Sequence, residues 1–215
     1  MAFVYFPSCK FIGFSPDSSE KVCEYLFNRF GMRIAACCRK DRRSLTKDDT
    51  AVLICHTCAA ICEESSSAGN ILSLWEIMDG DNELSFPDFK SLELTVQDCW
   101  RSSGRIKEQM AVRSLLKKMN ISVIEQEENF EKTKFCGKSL YNGPHEENNN
   151  LVQNRFGKSG IFTKLSEEEQ ISRMTEHCRN ISTDAVLCHC VTCAGGIEAG
   201  GKKAVHLLDL IYNKY

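Results

Sequence analysis

The chain has 215 residues, 26% of them charged, and a formal net charge of −2. That balance argues against nucleic acid or an anionic membrane as the main partner, and no stretch reaches the length of a membrane-crossing helix. Thirteen cysteines are too many to ignore, and being odd in number they cannot all pair. The opening Met1-Ala2-Phe3-Val4-Tyr5-Phe6-Pro7 lacks the basic start and long apolar run of a secretory leader. Together these features predict metal-binding thiolates in a reducing, cytoplasmic setting.

In chain order, the apolar run 3–6 predicts a strand leading into Pro7-Ser8-Cys9. Val22, Tyr25, Leu26 and Phe30 recur at spacings of three and four and predict a helix over 18–30, stopped by Gly31. A strand over 32–36 then runs into Cys37-Cys38. Ala51-Val52-Leu53-Ile54 is a buried-strand pattern ending in Cys55-His56-Thr57-Cys58. Ile71, Leu74, Trp75 and Met78 predict one helix over 65–78, and 79–88, with Gly80 and Pro87, predicts a junction.

The same order then returns. A strand over 92–96 leads into Gln97-Asp98-Cys99, and a helix over 106–119 buries Val112, Leu115, Leu116 and Met119 before stopping at Asn120. A strand over 121–124 is followed by Phe135-Cys136-Gly137. The polar stretch 142–154 predicts a mobile loop. Ser166 and Glu169 form a capping box for a helix with Ile171, Met174, Cys178 and Ile181 on one face. Ala185-Val186-Leu187 runs into Cys188-His189-Cys190-Val191-Thr192-Cys193, and 203–212 predicts a last helix with Val205, Leu208, Ile211 and Tyr212 on one side.

Strand, helix and strand at crossover spacing imply parallel pairing. The expected fold is therefore α/β, with two pseudo-repeated halves at 1–90 and 91–215. Each half is a small, mostly parallel sheet with flanking helices. Each cysteine group falls just past a strand, so metal sites are expected at the strand C-terminal ends.

The order lone Cys, Cys-Cys-Gly, Cys-x-x-Cys resembles the CCG domain, a cysteine-rich module found in tandem in the B-type subunit of heterodisulfide reductase and in related iron–sulfur oxidoreductases. The resemblance runs from Tyr5 to about Ile197. It implies Cys9, Cys37, Cys38, Cys55 and Cys58 as the first ligand set and Cys99, Cys136, Cys190 and Cys193 as the second. Two departures stand out: Arg39 replaces the Gly of the first half, and Phe135 replaces the first Cys of the pair in the second. The resemblance implies one or two [4Fe-4S] clusters, in some relatives of a noncubane type with five thiolates, and zinc at some N-terminal sites. It also implies a redox role, a flavoprotein or ferredoxin-type partner, and a small disulfide as a possible substrate.

The residue types suit that chemistry on their own account. Thiolates are soft ligands that select zinc or iron–sulfur centres, and four of them suffice for either. A Cys-x-x-Cys at a strand-to-helix turn aims both sulfurs at one centre beside the N–H groups of the helix start.

Other residues read more simply. Cys23 and Cys178 lie in amphipathic helices and read as packing residues. Cys62, one turn past Cys58, and Cys188 are possible extra ligands. His56 and His189 read as supports beside the ligands, and Arg39, Arg101 and Arg105 as cations able to balance an anionic centre or hold a carboxylate. Trp75 and Trp100 read as packing. Gly195-Gly196 and Gly200-Gly201 suit close backbone approach.

No ferredoxin cysteine run, GxGxxG or phosphate loop is present in the sequence, so a redox centre needs an outside electron source. Two other functions stay open. One is a zinc- or cluster-stabilised interaction protein without redox catalysis. The other is a thiol–disulfide oxidoreductase using Cys55 and Cys58.

Overall fold

A computed structural model describes residues 2–90, 92–142 and 162–215. The chain forms two compact units, Met1–Ser85 and Phe86–Tyr215. Unit 1 runs β1 (Ala2–Phe6), α1 (Cys9–Phe14), α2 (Pro16–Phe30), β2 (Arg33–Ile34), α3 (Cys38–Asp41), β3 (Asp49–Leu53), α4 (His56–Ser65), β4 (Asn70–Ser73) and α5 (Leu74–Gly80). Unit 2 runs β5 (Glu93–Gln97), α6 (Ile106–Lys118), β6 (Ser122–Ile124), α7 (Glu167–Arg179), β7 (Ala185–Cys188), α8 (Val191–Ala199), β8 (Lys203–His206) and α9 (Leu207–Ile211).

Each unit carries a four-stranded sheet, in the orders β2-β1-β3-β4 and β6-β5-β7-β8. Every strand pair is parallel. The two halves therefore share one topology, as the repeated cysteine pattern predicts. Central strands of a parallel sheet are covered on both faces, which explains their unbroken apolar runs. Val4, Tyr5, Phe6, Ala51, Val52 and Leu53 are all exposed by 3% or less.

Local chemistry sets the helix ends. Pro16 occupies the first turn of α2, where its missing N–H costs nothing. Gly31 ends the helix at φ 61°, a left-handed conformation that suits a residue without Cβ. Asn120 takes the same region, φ 54°, just past α6.

Two expected helices prove to be strand–helix pairs. The 65–78 segment closes α4 at Ser65, forms β4, and only then starts α5. The 203–212 segment forms β8 before α9. In each case a polar residue at the strand end caps the next helix. Ser73 and Glu76 make a reciprocal capping box, and the Nδ1 of His206 accepts from the Leu208 N–H. Two smaller differences accompany these. α1 precedes α2 as a separate helix, and the 32–36 strand contracts to Arg33–Ile34 at the sheet edge. The 142–154 stretch, apart from Asn142, lies outside the described residues.

This topology positions the cysteines. From β1 the chain passes to β2 on one side, then to β3 on the other, and β5, β6 and β7 repeat the move. Connections that leave adjacent strands in opposite directions open a crevice at their carboxyl ends. In unit 1 that crevice lies between β1 and β3, in unit 2 between β5 and β7.

At the opposite end of the unit 1 sheet, Asp81 closes a cross-link. Its carboxylate accepts from Tyr25 Oη at 2.9 Å, from Arg29 at 3.1–3.3 Å and from the Glu83 N–H at 3.0 Å. The hydrogen bond from Arg29 leads in holding its pKa below the usual carboxylate value, outweighing the opposing effect of burial. The associated stability is present in full above the unfolded carboxyl pKa, about 3.9, and is lost as pH falls through the depressed folded value. Asp81→Asn should therefore cost stability at pH 7 and much less at pH 3. Urea unfolding followed by circular dichroism at the two pH values checks this.

Candidate metal centre

In unit 2 four thiols meet at the crevice. Cys99 follows β5, Cys136 opens a short 3-10 turn at Gly137–Leu140, and Cys190 and Cys193 bracket the start of α8. The Sγ atoms of Cys99, Cys136 and Cys193 all lie within 4.8 Å of one another. Cys99 and Cys136 are 3.5 Å apart, and Cys190 is near enough to the other three to shift their pKa values. Metal–sulfur bonds of about 2.3 Å in a tetrahedral site place the sulfurs about 3.8 Å apart. The group can hold a metal ion.

The surroundings favour negative charge on sulfur. Cys190 is the N-cap of α8 and Cys193 its third residue, so both share the positive end of the helix. The Cys136 thiol is more acidic than a free one. Its hydrogen bond with Cys190 pulls its pKa up, those with Cys193 and Cys99 pull it down, and the balance is about 7. Ser139 Oγ lies 3.2 Å from this sulfur and 2.8 Å from the Cys136 carbonyl, its two acceptors. The Arg101 guanidinium hydrogen-bonds the same sulfur and faces Cys99 and Cys190 as well. Burial and neighbouring thiols push Cys99 and Cys193 well up.

Backbone contacts lock the strap that carries Cys136. Trp100 N–H donates to the Phe135 carbonyl at 2.8 Å, tying it to the Cys99 turn. Gly137, at φ 56°, packs its backbone against Thr192 and Gly196 of α8. A Cβ on Gly196 would stand 2.5 Å from Gly137 Cα and 2.9 Å from the Phe135 ring. Gly196 is thus required for close approach, and Gly200 likewise packs against Met174 and Cys178, whereas Gly195 has open space around its Cα.

A buried charge network underlies the Cys99 loop. The Asp98 side chain, 0% exposed, accepts from Arg113 Nη1 and Nη2 at 2.6 and 2.7 Å and from the Phe130 N–H at 2.8 Å. The Phe130 backbone sits at φ 49°, and Arg113 covers its ring at 4.0 Å. His189 lies with Nε2 3.5 Å from Asp98 and Nδ1 3.4 Å from Glu108. Burial pushes the Asp98 pKa up, but nearby His189 and the hydrogen bonds and charge of Arg113 outweigh it and hold it well below the usual range.

Unit 1 places a smaller thiol group at the matching crevice. Cys55 is the N-cap of α4 and Cys58 its third residue, as in α8. Cys38, Cys55 and Cys58 lie near enough to shift one another's pKa values, but their three sulfurs do not all fall within 4.8 Å of one another. Cys58 lowers Cys38, helped by Arg39 and Arg42, while Cys58 itself is raised. The Cys37–Cys38 loop is held by Asp41, whose Oδ2 accepts from the Ala36 and Cys37 N–H groups at 2.7 and 2.9 Å. Cys37 is half-buried, and Cys9 is exposed on α1. Neither is among the thiols that shift Cys58. Ser8, just before Cys9, is buried and carries a positive φ of 66°.

The remaining cysteines lie elsewhere. Burial pushes Cys62 up to about 12, and Cys188, buried at the end of β7, is also raised by burial. Cys178 packs against the Ile197 carbonyl. Trp75 is fully buried, and Trp100 meets Phe162 edge-on at 5.7 Å. Asp98, Glu108, Arg113 and Ser139 carry no motif. Only the fold brings them to the thiols.

No family model matches the chain, and no curated protein matches it. Among solved structures, an aspartate racemase from Picrophilus torridus aligns over 98% of this chain and 90% of its own, at 12% identity and a TM-score of 0.31. In the described residues, no helix is long and apolar enough to cross a membrane.

The Gly137–Gly196 contact gives a paired prediction. Gly196→Ala should cost about 1–3 kcal/mol through overpacking and should weaken metal binding in unit 2. Gly195→Ala, one residue away and open, should be neutral or stabilising by up to about 1 kcal/mol. Thermal unfolding and metal content of the two variants check this.

Proposed function

We propose that this protein is an iron–sulfur redox protein. It would act as an electron-transfer or catalytic module of an oxidoreductase resembling heterodisulfide reductase. The observation that carries this reading is the recurrence of one cysteine order at the same topological point of two sheets, with the sulfurs of Cys99, Cys136 and Cys193 within 4.8 Å of one another in unit 2. Such a centre, when bound, supplies one-electron chemistry. Cys99, Cys136, Cys190 and Cys193 would hold it in unit 2. In unit 1 the resemblance implies Cys9, Cys37, Cys38, Cys55 and Cys58.

The chain's own groups would balance the charge of such a centre. The starts of α4 and α8, Arg39 and Arg42 in unit 1, and Arg101 in unit 2 all bring positive charge to sulfur. The partner expected on this reading is a flavoprotein or ferredoxin-type donor, with a small disulfide as substrate and the cytoplasm as the setting.

A second reading has its own support. Sulfurs within 4.8 Å of one another suit one tetrahedral ion such as zinc, while a cubane cluster needs its four ligands further apart. Zinc has no redox chemistry, so this reading makes the protein a metal-stabilised interaction module.

Anaerobic production with active iron–sulfur assembly separates the two. Iron and acid-labile sulfide in near-equal amounts are expected, and stoichiometric zinc without sulfide would sink the redox reading. Cys193→Ser should strip unit 2 of its metal, because a four-thiol site has no spare ligand. Cys23→Ala should leave metal content unchanged.

A further inference from the structure

Unit 2 holds six cysteines, and five of them, Cys99, Cys136, Cys178, Cys188 and Cys193, are buried. Cys190 alone is partly exposed. It is the N-cap of α8, where the N–H groups of the helix start favour a thiolate. A small reagent arriving from solvent therefore meets Cys190 first.

A second thiol stands beside it. Gln97 lies opposite Cys188 in the parallel pairing of β5 with β7, and Cys99 and Cys190 each follow that pair by two residues. Neighbouring strands run about 4.8 Å apart, within the Cα separations of about 4.4–6.8 Å that a disulfide spans. The Sγ atoms of Cys99 and Cys190 lie within 4.8 Å of each other, so closing the gap asks for side-chain rotation and no movement of the strands. Cys99 is itself 0% exposed and does not meet the reagent directly. Exposure and register thus divide the pair into an entry thiol and a capturing one.

We propose that Cys190 is an oxidation site for small hydroperoxides and that Cys99 is the thiol that captures the oxidised sulfur. In the first step the Cys190 thiolate attacks the terminal oxygen of the hydroperoxide. An S–O bond forms, the O–O bond breaks, and the leaving alkoxide (hydroxide from hydrogen peroxide) takes a proton from water. Cys190 is then a sulfenic acid, oxidised by two electrons, and the peroxide is reduced by two. In the second step the Cys99 thiol attacks that sulfur. An S–S bond forms, and the sulfenic hydroxyl leaves with the Cys99 proton as water. The Cys99–Cys190 disulfide takes two thiols from the unit 2 group and leaves Cys136 and Cys193, too few for a four-thiolate centre. Only this last consequence rests on the proposed metal-binding role; the oxidation itself belongs to the thiols.

The test uses the full chain, stripped of metal under reducing conditions and treated with one equivalent of hydrogen peroxide. Remaining thiols are blocked with N-ethylmaleimide, and the digest is mapped by mass spectrometry without reduction. A Cys99–Cys190 linked peptide is expected, with both free thiols lost together. In Cys99→Ser, dimedone should label Cys190 and no other cysteine of unit 2. In Cys190→Ser, Cys99 should stay reduced over the same time. A first product linking Cys190 to Cys193, or Cys99 to Cys136, would overturn capture by Cys99. Dimedone on a buried cysteine of unit 2, with Cys190 still reduced, would overturn the entry site. The linkage is read on the unsubstituted chain, so the outcome does not depend on how either variant folds. The same peroxide added to the metal-loaded chain should release metal in step with the disulfide. Failure of the chain to bind any metal would overturn the proposed function and leave the metal-free mapping to decide this inference. A Cys190 thiol that survives the peroxide would overturn the inference and leave metal binding intact.

Discussion

The register between the two central strands of each sheet governs the rest of the molecule. In a parallel sheet, neighbouring side chains alternate between faces, so a slip of one residue sends a side chain to the other face. Residues just past the strand ends inherit that constraint. Gln97 opposite Cys188 places Cys99 and Cys190 level with each other, and their sulfurs join those of Cys136 and Cys193. No single cysteine defines this group. It exists because β5 and β7 are adjacent and in step, while β6 delivers Cys136 from the other side.

Register alone does not hold irregular loops at a strand end, and unit 2 uses a buried ionic network for that. An isolated buried carboxylate is costly unless paired and hydrogen-bonded. Asp98 meets both conditions, with Arg113 in a two-point contact, the Phe130 N–H and His189. One carboxylate thereby joins the Cys99 turn, helix α6, the loop before Cys136 and the residue before Cys190. Removing a partner from such a set leaves the others buried and unmatched, which is why it constrains geometry more than it adds stability. The glycine contact between Gly137 and Gly196 completes the arrangement by letting the Cys136 strap lie directly on α8.

Much of this is legible in the sequence, for identifiable reasons. Central strands buried on both faces write continuous apolar runs, and helix stops such as Gly31 write left-handed residues, so β1, β3, β7, α2 and α6 can be read directly. Cysteine spacing marks both crevices. The fourth strands could not be read that way. β4 and β8 are short edge strands, four residues each, and their apolar positions also fit a helical stripe with the helix that follows. The signals that separate them are local: the Ser73–Glu76 capping box, and the Gly200-Gly201 break ahead of β8. Asp98, Glu108 and Arg113 were invisible for a different reason. A charged residue in a sequence reads as a solvated one, and only tertiary packing reveals that Asp98 and Glu108 flank His189 while Arg113 pairs with Asp98.

The halves also show how a repeated frame differs in detail. Where unit 1 has Cys37, unit 2 has Phe135, and the ring adds a stack on His177, whose Nε2 meets Gln97 Oε1 at 2.6 Å. Gln97 in turn donates to the Asp98 carbonyl at 2.8 Å, so the lost thiol is replaced by packing that braces the loop carrying Cys99. Where unit 2 has Gly137, unit 1 has Arg39, which brings charge to Cys38 in place of a close backbone contact. Unit 2 obtains its positive charge from Arg101 instead. One-residue differences at equivalent places thus accompany a shared topology in which the unit 2 thiols are buried and braced, while in unit 1 Cys9 is exposed and Cys37 half-buried.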